Sequence, residues 1–292
     1  MKPDALKPEA LTPDSPGPSK PVGRKPRRRT GNRIPALLLI PAALGLAVLT
    51  VPLLGLLLRA PWSELPQRLI SAEIGPALRL SLLCATIATG ICLLLGVPLA
   101  WVLARADIPG KSIIRALVTV PMVLPPIVGG VALLLVFGRR GVIGEHLDTW
   151  LGISLPFSTA GVVLAQAFVA MPFLVLSVEG AIRASDPRYE EAAATLGASR
   201  WLIFRRVTLP SLLPAVVAGT MLCWARALGE FGATITFAGN FPGQTTTMPL
   251  AVYMAMESDP QAAIVLSLVL LLVSVAVLAA MRDRWLTGMV SR

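Results

Sequence analysis

The chain has 292 residues, of which 55% are hydrophobic and 14% charged, and its mean hydropathy is +0.73. Soluble domains carry about 25% charged residues, so this composition excludes an ordinary soluble enzyme, a disordered scaffold and a disulfide-stapled secreted module. The formal net charge is +10, and the single histidine, His146, argues against a histidine–metal centre or a histidine-dependent catalytic triad.

The first 33 residues form a distinct segment. They are rich in proline, hold nine of the 26 lysines and arginines, and contain almost no large apolar side chains. Such a segment buries too little apolar surface to fold, so we predict that residues 1–33 are a disordered tail. The basic charge lies directly before an apolar stretch, which is typical of the cytoplasmic side of a membrane helix rather than of a nucleic-acid-binding arm.

Six apolar stretches follow the tail and predict six transmembrane helices. They lie at residues 34–58, 80–104, 116–138, 161–182, 211–237 and 260–281. Each can cross about 30 Å of hydrocarbon at about 1.5 Å per residue, and lipid leaves the backbone polar groups no partner other than the helix itself. We therefore expect an all-α membrane protein, with the first helix and its outer loop in residues 34–71 and a short carboxy-terminal tail in residues 284–292.

Basic residues between the stretches orient the helices. With the tail inside, the inner segments hold 20 lysines and arginines and the outer connections hold five. This bias follows the positive-inside rule and predicts that both termini are cytoplasmic. It also makes residues 184–210 the longest cytoplasmic connection.

The connection at residues 184–210 predicts two short helices rather than a flexible linker. Asp186 before Pro187 is a favourable helix start, and Gly197 is a natural helix stop. A second short helix is expected from residue 199 to about residue 207, ending before Pro210. By itself this pattern also fits an amphipathic hairpin that rests on the lipid surface.

The fifth stretch contains two charges, Arg226 and Glu230. They are four residues apart, so on one helix they share a face and can pair. A charge at membrane depth costs about 2.5–3.5 kcal/mol on insertion scales and therefore faces a partner or a cavity. Two interpretations remain open: an ion pair that locks the helix bundle, or a group that lines a path for an anion.

A motif in the connection carries a family resemblance. Glu191-Ala192-Ala193 is followed after three residues by Gly197, and after nine more by the Val-Thr-Leu-Pro of residues 207–210. This pattern resembles the EAA motif of ABC importer permeases. The resemblance implies a coupling helix that docks into a groove on a separate ATPase subunit, and a chain that is not itself an enzyme. The residues that it assigns to ATPase coupling are Glu191, Ala192, Ala193, Gly197, Arg200 and Pro210.

A second resemblance covers residues 72–283, which we expect to be the core permease domain. Residues 225–234, 238–240 and 242–253 are similar to the permease subunits of oxyanion importers, both of the molybdate/tungstate type and of the sulfate/thiosulfate type. Three further stretches look more like the molybdate type: residues 137–141, 165–170 and 254–263. Import of molybdate into the cytoplasm is therefore the expected function.

The oxyanion-permease resemblance implies a type I ABC importer permease (MetI-like) fold with about six transmembrane helices in the bacterial plasma (inner) membrane. The implied partners are an ABC ATPase subunit dimer at the cytoplasmic face, an extracytoplasmic oxyanion-binding protein, a second permease copy in a homodimer, and membrane lipid. No nucleic acid, metal, cofactor or catalytic residue is expected. The candidate residues of the translocation path are Arg226, Gly229, Glu230 and Thr234.

Three other functions are weighed against this expectation. A sulfate/thiosulfate permease would share the same motifs. A membrane enzyme would need clustered polar groups near one membrane face, and neither such a cluster nor a zinc-ligand spacing is found. A self-sufficient secondary anion transporter would show two similar halves or interrupted helices in matching positions, and no such repeat is visible in the sequence.

A P-loop lookalike occurs at Gly110-Lys111-Ser112. The full pattern requires a glycine five residues before Gly110, and that position is Arg105. We therefore expect no nucleotide site in this chain.

Overall fold

The computed structural model describes residues 36–69 and 74–290, and the predicted tail at residues 1–33 lies outside them. Every regular element in these two ranges is helical. The helices are α1 (Ala36–Leu58), α2 (Leu65–Leu69), α3 (Ile74–Arg105), α4 (Lys111–Val123), α5 (Pro126–Phe137), α6 (Gly144–Leu151), α7 (Thr159–Ala184), α8 (Arg188–Thr195), α9 (Arg200–Ile203), α10 (Leu209–Leu228), α11 (Gly232–Ala238), α12 (Met248–Ser258) and α13 (Pro260–Val290). A π-helical turn, Phe204–Thr208, lies between α9 and α10.

The described residues fall into two compact units, one ending at Val51 and the other beginning at Pro52. The first contains the described part of α1 as far as Val51, where the leucine, isoleucine and valine side chains are exposed. A helix that is apolar all round is typical of a membrane span. The mean hydropathy of 2.5 over Leu37–Leu58 agrees with this assignment. The second unit contains α2 to α13.

Five helices in the described ranges are long and apolar enough to cross a membrane, and the number rises to six when the bent pair α4–α5 is one span. The prediction of about six transmembrane helices is thereby confirmed. The last of them, α13, is longer than expected, because the helix continues to Val290 into the segment predicted as a tail.

The third predicted span is broken rather than continuous. α4 and α5 meet at an angle of 118°. Between them, Leu124 and Pro125 have extended ψ angles of 134° and 133°. A residue that precedes proline avoids the helical region, and both of these residues do so. The prediction of one helix over residues 116–138 is therefore wrong, because hydropathy records composition and not the direction of the chain.

The fifth predicted span is also interrupted. α10 ends at Leu228, Gly229 caps it, and α11 begins at Gly232. At its other end α10 is continuous with α9, so the helix of membrane length runs from Arg200 to Leu228. The predicted limits, residues 211 and 237, are wrong at both ends.

α3, α7 and α10 pack side by side and enclose the main core. A Cβ at Gly96 of α3 would lie 3.2 Å from Cγ2 of Val175 in α7, so the two backbones approach closely. Small residues permit such contact between membrane helices, which associate by packing rather than by exclusion of water. The small buried side chains of this interface include Ala85, Ala88, Cys92, Ala167, Ala170, Cys223 and Ala227.

α5 and α11 are half-helices, and each follows a non-helical interruption of its span. They pack against each other and against α7. A Cβ at Gly130 in α5 would lie 2.5 Å from Cβ of Thr236 in α11. A Cβ at Gly232 would lie 2.7 Å from Cβ of Pro126. The two interrupted segments therefore meet in one tightly packed layer.

Arg68 in α2 anchors the connection between α12 and α13. Its guanidinium donates to Asp259 Oδ2 at 2.7 Å, to Glu64 Oε2 at 2.9 Å and to Gln261 Oε1 at 3.0 Å. The hydrogen bond from Arg68, followed by one from the backbone N–H of Ala262, holds the pKa of the Asp259 carboxyl below its usual range. Arg68 and Asp259 thus form an ionised clamp between α2 and the start of α13.

Candidate functional site

The connection at residues 184–210 begins with α8. Asp186 Oδ1 accepts a hydrogen bond from the backbone N–H of Arg188 at 3.0 Å. Pro187 precedes α8 with backbone angles that are already helical, so the Asp186 carboxylate before it caps the helix start, as predicted. Asp186 satisfies one of the N–H groups that a helix start leaves without an internal partner.

Gly197 ends α8, as predicted. Its φ of +82° lies in the left-handed region, which glycine adopts without steric cost. The Gly197 N–H donates to the Ala194 carbonyl at 3.0 Å, and the Ala198 N–H donates to the Ala193 carbonyl at 3.1 Å. These bonds satisfy the last carbonyls of the helix and turn the chain sharply towards α9.

The second short helix does not end before Pro210, so that prediction is wrong. α9 continues through the π-helical turn into α10, and the Leu209 N–H donates to the Phe204 carbonyl five residues earlier. Pro210 is tolerated because it lies at the start of α10, where the wide turn changes the hydrogen-bond register. The connection is therefore joined to a membrane-length helix without an intervening loop.

The residues assigned to ATPase coupling lie mostly on the surface of α8, α9 and the turn between them, which we call the α8–α9 unit. Glu191, Ala192, Gly197 and Arg200 are exposed, whereas Ala193 and Pro210 are half-buried. Large apolar side chains are exposed beside them, and they include Tyr189, Leu196 and Trp201. Leu196 is 88% exposed. Exposed apolar groups among charges are typical of a docking surface.

Glu190 is a residue that the sequence reasoning missed. Its Oε1 accepts hydrogen bonds from Arg105 at 2.7 Å and from the Thr208 hydroxyl at 3.0 Å. Arg105 is the last residue of α3, and Thr208 is the last residue of the π-helical turn. The sequence shows two adjacent glutamates, Glu190 and Glu191, but nothing in it tells which of them turns inward.

A second carboxylate ties helices together at the same end of the bundle. Glu179 of α7 pairs with Arg115 of α4 at 2.7 Å and with Arg183 at 3.0 Å. Arg183 also donates to the Leu103 carbonyl of α3 at 3.4 Å. The ends of α3, α4 and α7 are thereby joined around one buried carboxylate.

The predicted pair of Arg226 and Glu230 forms, but not within one helix. Arg226 Nη2 lies 2.6 Å from Glu230 Oε2, and Glu230 Oε1 accepts a hydrogen bond from the backbone N–H of Ala233 at 2.8 Å. Because α10 ends at Leu228, Glu230 lies in the non-helical segment between α10 and α11. Its side chain accepts an N–H from the first turn of α11. The Glu230 side chain is 1% exposed, whereas 28% of the Arg226 side chain is exposed.

The other two path candidates lie close to this pair along the chain. Gly229 is exposed in the break, and Thr234 is fully buried in α11. Within the described residues, neither the Thr234 hydroxyl nor the side-chain amide of the buried Gln166 in α7 has a hydrogen-bond partner. A buried polar group without a partner costs about 1–3 kcal/mol and calls for an explanation. Gln166 was not among the predicted path residues, although a polar residue inside an apolar stretch is a detectable signal.

Relatives of this chain include permeases of two anion transport systems. The molybdenum transport system permease protein ModB of Mycobacterium tuberculosis is 47% identical over 251 residues, 86% of this chain and 95% of that protein. ModB of Escherichia coli is 41% identical over 210 residues, 72% of this chain and 92% of that protein. The sulfate transport system permease protein CysT of Escherichia coli is 35% identical over 235 residues, 79% of this chain and 84% of that protein.

Solved structures share the fold. A chain of a bacterial ABC transporter that imports alginate matches with a TM-score of 0.64 and 17% identity, over 85% of this chain and 93% of that chain. A chain of the inward-facing MetNI methionine ABC transporter matches with a TM-score of 0.59 and 16% identity, over 74% and 95%. The predicted fold, an all-α membrane protein of the type I ABC importer permease class, is confirmed.

A family model gives the assignment of the chain itself. The model described as "Binding-protein-dependent transport system inner membrane component" matches residues 96–288. This match covers more than half of the chain and, with the apolar helices, confirms the predicted multi-pass location in the bacterial inner membrane. The chain belongs to the family of inner membrane components of binding-protein-dependent transport systems.

Proposed function

We propose that the chain is the permease subunit of an ATP-driven importer and that its cargo is the oxyanion molybdate. The observation that carries this proposal is the 47% identity, over 86% of this chain, to a molybdenum transport system permease. The exposed α8–α9 unit is joined directly to a membrane-length helix. It supports the same function because a partner that binds this unit can move the helix bundle.

In this proposal ATP is hydrolysed by a separate ABC ATPase dimer, which docks on the α8–α9 unit at the cytoplasmic face. Glu191 and Arg200 supply exposed charges, and Tyr189 and Leu196 supply apolar anchors. A few such anchors dominate the energy of most protein interfaces. The small side chain of Ala192 lets the partner approach the α8 backbone closely.

Two further partners complete the proposed complex. A solved structure of the alginate ABC transporter contains a periplasmic protein bound to an alginate pentasaccharide. We infer a corresponding arrangement here, with an extracytoplasmic oxyanion-binding protein on the outer loops and a second copy of this chain across a central path. Lipid covers the remaining apolar helix faces.

For the translocation path, Arg226 is the candidate that meets the anion, with Gly229 leaving room beside it and Thr234 offering a hydroxyl. An arginine attracts an oxyanion through its charge and its forked N–H donors. Glu230 has a different role, because both of its oxygens are engaged. Glu230 stabilises the break between α10 and α11. We therefore assign the structural role to Glu230 and contact with the anion to Arg226.

Two observations favour alternative functions. The 35% identity to a sulfate permease favours a sulfate/thiosulfate importer. The two interrupted spans favour a self-sufficient secondary transporter, in which broken helices commonly hold the substrate.

One uptake experiment separates these functions. The chain is reconstituted in proteoliposomes with its ATPase and binding protein, and uptake of labelled molybdate is measured with excess tungstate or sulfate. We expect ATP-dependent molybdate uptake that tungstate inhibits and sulfate does not. Inhibition by sulfate alone would assign the sulfate class, and uptake without the ATPase would assign a secondary transporter.

Docking on the α8–α9 unit is tested by Glu191→Lys and Gly197→Pro. The first reverses an exposed charge, and the second is incompatible with the positive φ of 82° at the helix end. We expect both variants to insert in the membrane but to lose stimulated ATP hydrolysis. Asp107→Lys, an equal charge change at an exposed position between α3 and α4, is the control. Normal coupled transport in both variants would refute the docking role.

A further inference from the structure

We propose that Glu190 is the positioning residue that holds the α8–α9 unit to the membrane helices, so that movement of the unit reaches the transport path. Glu191, its neighbour, faces outward and serves docking instead. Glu190 has this role only if the chain is an importer permease, so the inference rests on the proposed function.

One oxygen of Glu190 joins three elements. Oε1 accepts from Arg105 at the end of α3 and from Thr208 at the end of the π-helical turn, at 2.7 and 3.0 Å. Thr208 is buried, with 3% of its surface exposed, so this contact reaches into the packed part of the bundle. When α8 moves, the helix ends of α3 and α10 are constrained to move with it.

Aromatic side chains bridge the same helix ends a second time. The Arg105 guanidinium lies over the Trp101 ring at 5.6 Å. Trp101 meets Phe204, the first residue of the π-helical turn, edge to face at 5.3 Å. Phe204 in turn stacks on Trp201 of α9 at 5.6 Å. The rings fix α3 against the α9 side of the turn, and Glu190 adds α8 to this assembly through Arg105 and Thr208.

The exposure of the Glu190–Arg105 ion pair explains why it acts on transmission of movement rather than on folding. The Glu190 side chain is 25% exposed and that of Arg105 is 33% exposed. Ion pairs this accessible to water contribute little to folding stability. Single π-helical turns inside α-helices frequently lie at functional sites, and Glu190 ties α8 to the last residue of this one. Without the tie, α8 can follow the ATPase while α10 stays in place.

The experiment uses the complete complex of permease, ATPase and binding protein in proteoliposomes, with molybdate as the transported probe. Glu190→Gln removes the charge and keeps the size of the side chain. Thr208→Val removes the hydroxyl that donates a hydrogen bond to Glu190. We expect ATPase co-purification and ATP hydrolysis to stay at the wild-type level in both. The molybdate taken up per ATP should fall by roughly two- to thirty-fold, the range seen for residues that carry coupling without touching a ligand.

A double variant and a control sharpen the test. Adding Arg105→Met to Glu190→Gln should cause little further loss, because residues of one network are not additive. Asp107→Asn, at an exposed site between α3 and α4 that makes no ion pair in the described part of the chain, should keep the wild-type ratio.

Each outcome decides the proposal. An unchanged uptake-to-hydrolysis ratio in Glu190→Gln and Thr208→Val would overturn it. Loss of ATPase binding in Glu190→Gln would also overturn it, because Glu190 would then be a docking residue. If Glu190→Gln does not fold and insert in the membrane, the ratio in Thr208→Val decides. Absence of ATP-dependent molybdate uptake in the wild-type complex is a different result, which would remove the proposed function itself.

Discussion

Arg226 and Glu230 form one ion pair but differ in their surroundings. Glu230 is buried and both of its oxygens are engaged, whereas Arg226 is partly exposed at the break between α10 and α11. Removing Arg226 alone leaves a buried carboxylate without its counter-charge, which commonly costs about 3–5 kcal/mol. Reduced uptake in a variant that lacks only Arg226 would therefore not tell failed assembly from a lost contact with the anion.

The double variant Arg226→Met, Glu230→Gln separates the two roles, because it removes both charges and keeps the volumes. We expect it to assemble with the ATPase while molybdate uptake falls roughly tenfold or more, since a charge-assisted hydrogen bond to the anion contributes about 1.5–3 kcal/mol. Assembly is measured by co-purification and uptake in proteoliposomes. Normal uptake in an assembled double variant would show that the pair only locks the bundle.

The clamp between Arg68 and Asp259 predicts a pH dependence of stability. The pKa of Asp259 is lower in the folded protein than in the unfolded chain, where aspartate titrates near about 3.9. Its contribution is therefore complete above that pH and disappears as the pH falls through the folded pKa. Arg68→Gln should lower the thermal stability of the purified protein at neutral pH only slightly, because ion pairs this exposed contribute little, and its difference from wild type should shrink below about pH 4. A difference that does not change with pH would contradict the clamp.

At the scale of helices, the contact between α5 and α11 depends on glycine. A Cβ at Gly130 would lie 2.5 Å from Thr236 Cβ and 3.0 Å from the Ala233 carbonyl. Overpacking of this kind costs about 1–3 kcal/mol. Gly130→Ala should therefore lower the temperature of thermal inactivation in detergent and reduce uptake.

Gly90→Ala in α3 is the matched control for this contact. A Cβ at Gly90 would meet no heavy atom within 4 Å, and alanine favours a helix over glycine by up to about 1 kcal/mol. Gly90→Ala should keep or raise the inactivation temperature. Equal stability of Gly130→Ala and Gly90→Ala would show that α5 and α11 separate freely.

The sequence predicts the existence of the helices better than their breaks. Apolar length alone identifies α3, α7 and α13, because a membrane span must satisfy its own backbone. The breaks after Val123 and Leu228 interrupt apolar stretches and leave the hydropathy unchanged. The prolines at 125 and 126 were a usable signal for the first break. The second break lacks such a signal, because an Arg–Glu spacing of four residues is equally compatible with an unbroken helix.

The α8–α9 unit shows the same limit at finer scale. The stop at Gly197 follows from local backbone chemistry and is predicted correctly. The continuation past Pro210 is not, because a π-helical turn depends on packing around Phe204 that no local pattern reports. The inward turn of Glu190 also depends on tertiary contacts, with α3 and the π-helical turn.

At the scale of the whole molecule, the described helices connect the exposed unit to the intramembrane charges, because α9 is continuous with α10 and α8 is held to them through Glu190. α9, the π-helical turn and α10 form one helix of membrane length, and that helix ends at Leu228, directly before the break that contains Glu230. Force applied by a partner at α8–α9 therefore arrives at the proposed path through α10. This continuity is why we expect transport to follow ATP hydrolysis in a neighbouring subunit.

The most direct test is molybdate uptake by proteoliposomes that contain the chain with its binding protein, measured with and without the ATPase subunit and ATP. The account predicts uptake only when both are present, and its loss on Glu191→Lys. Uptake by the permease in the absence of the ATPase, unaffected by Glu191→Lys, would contradict it.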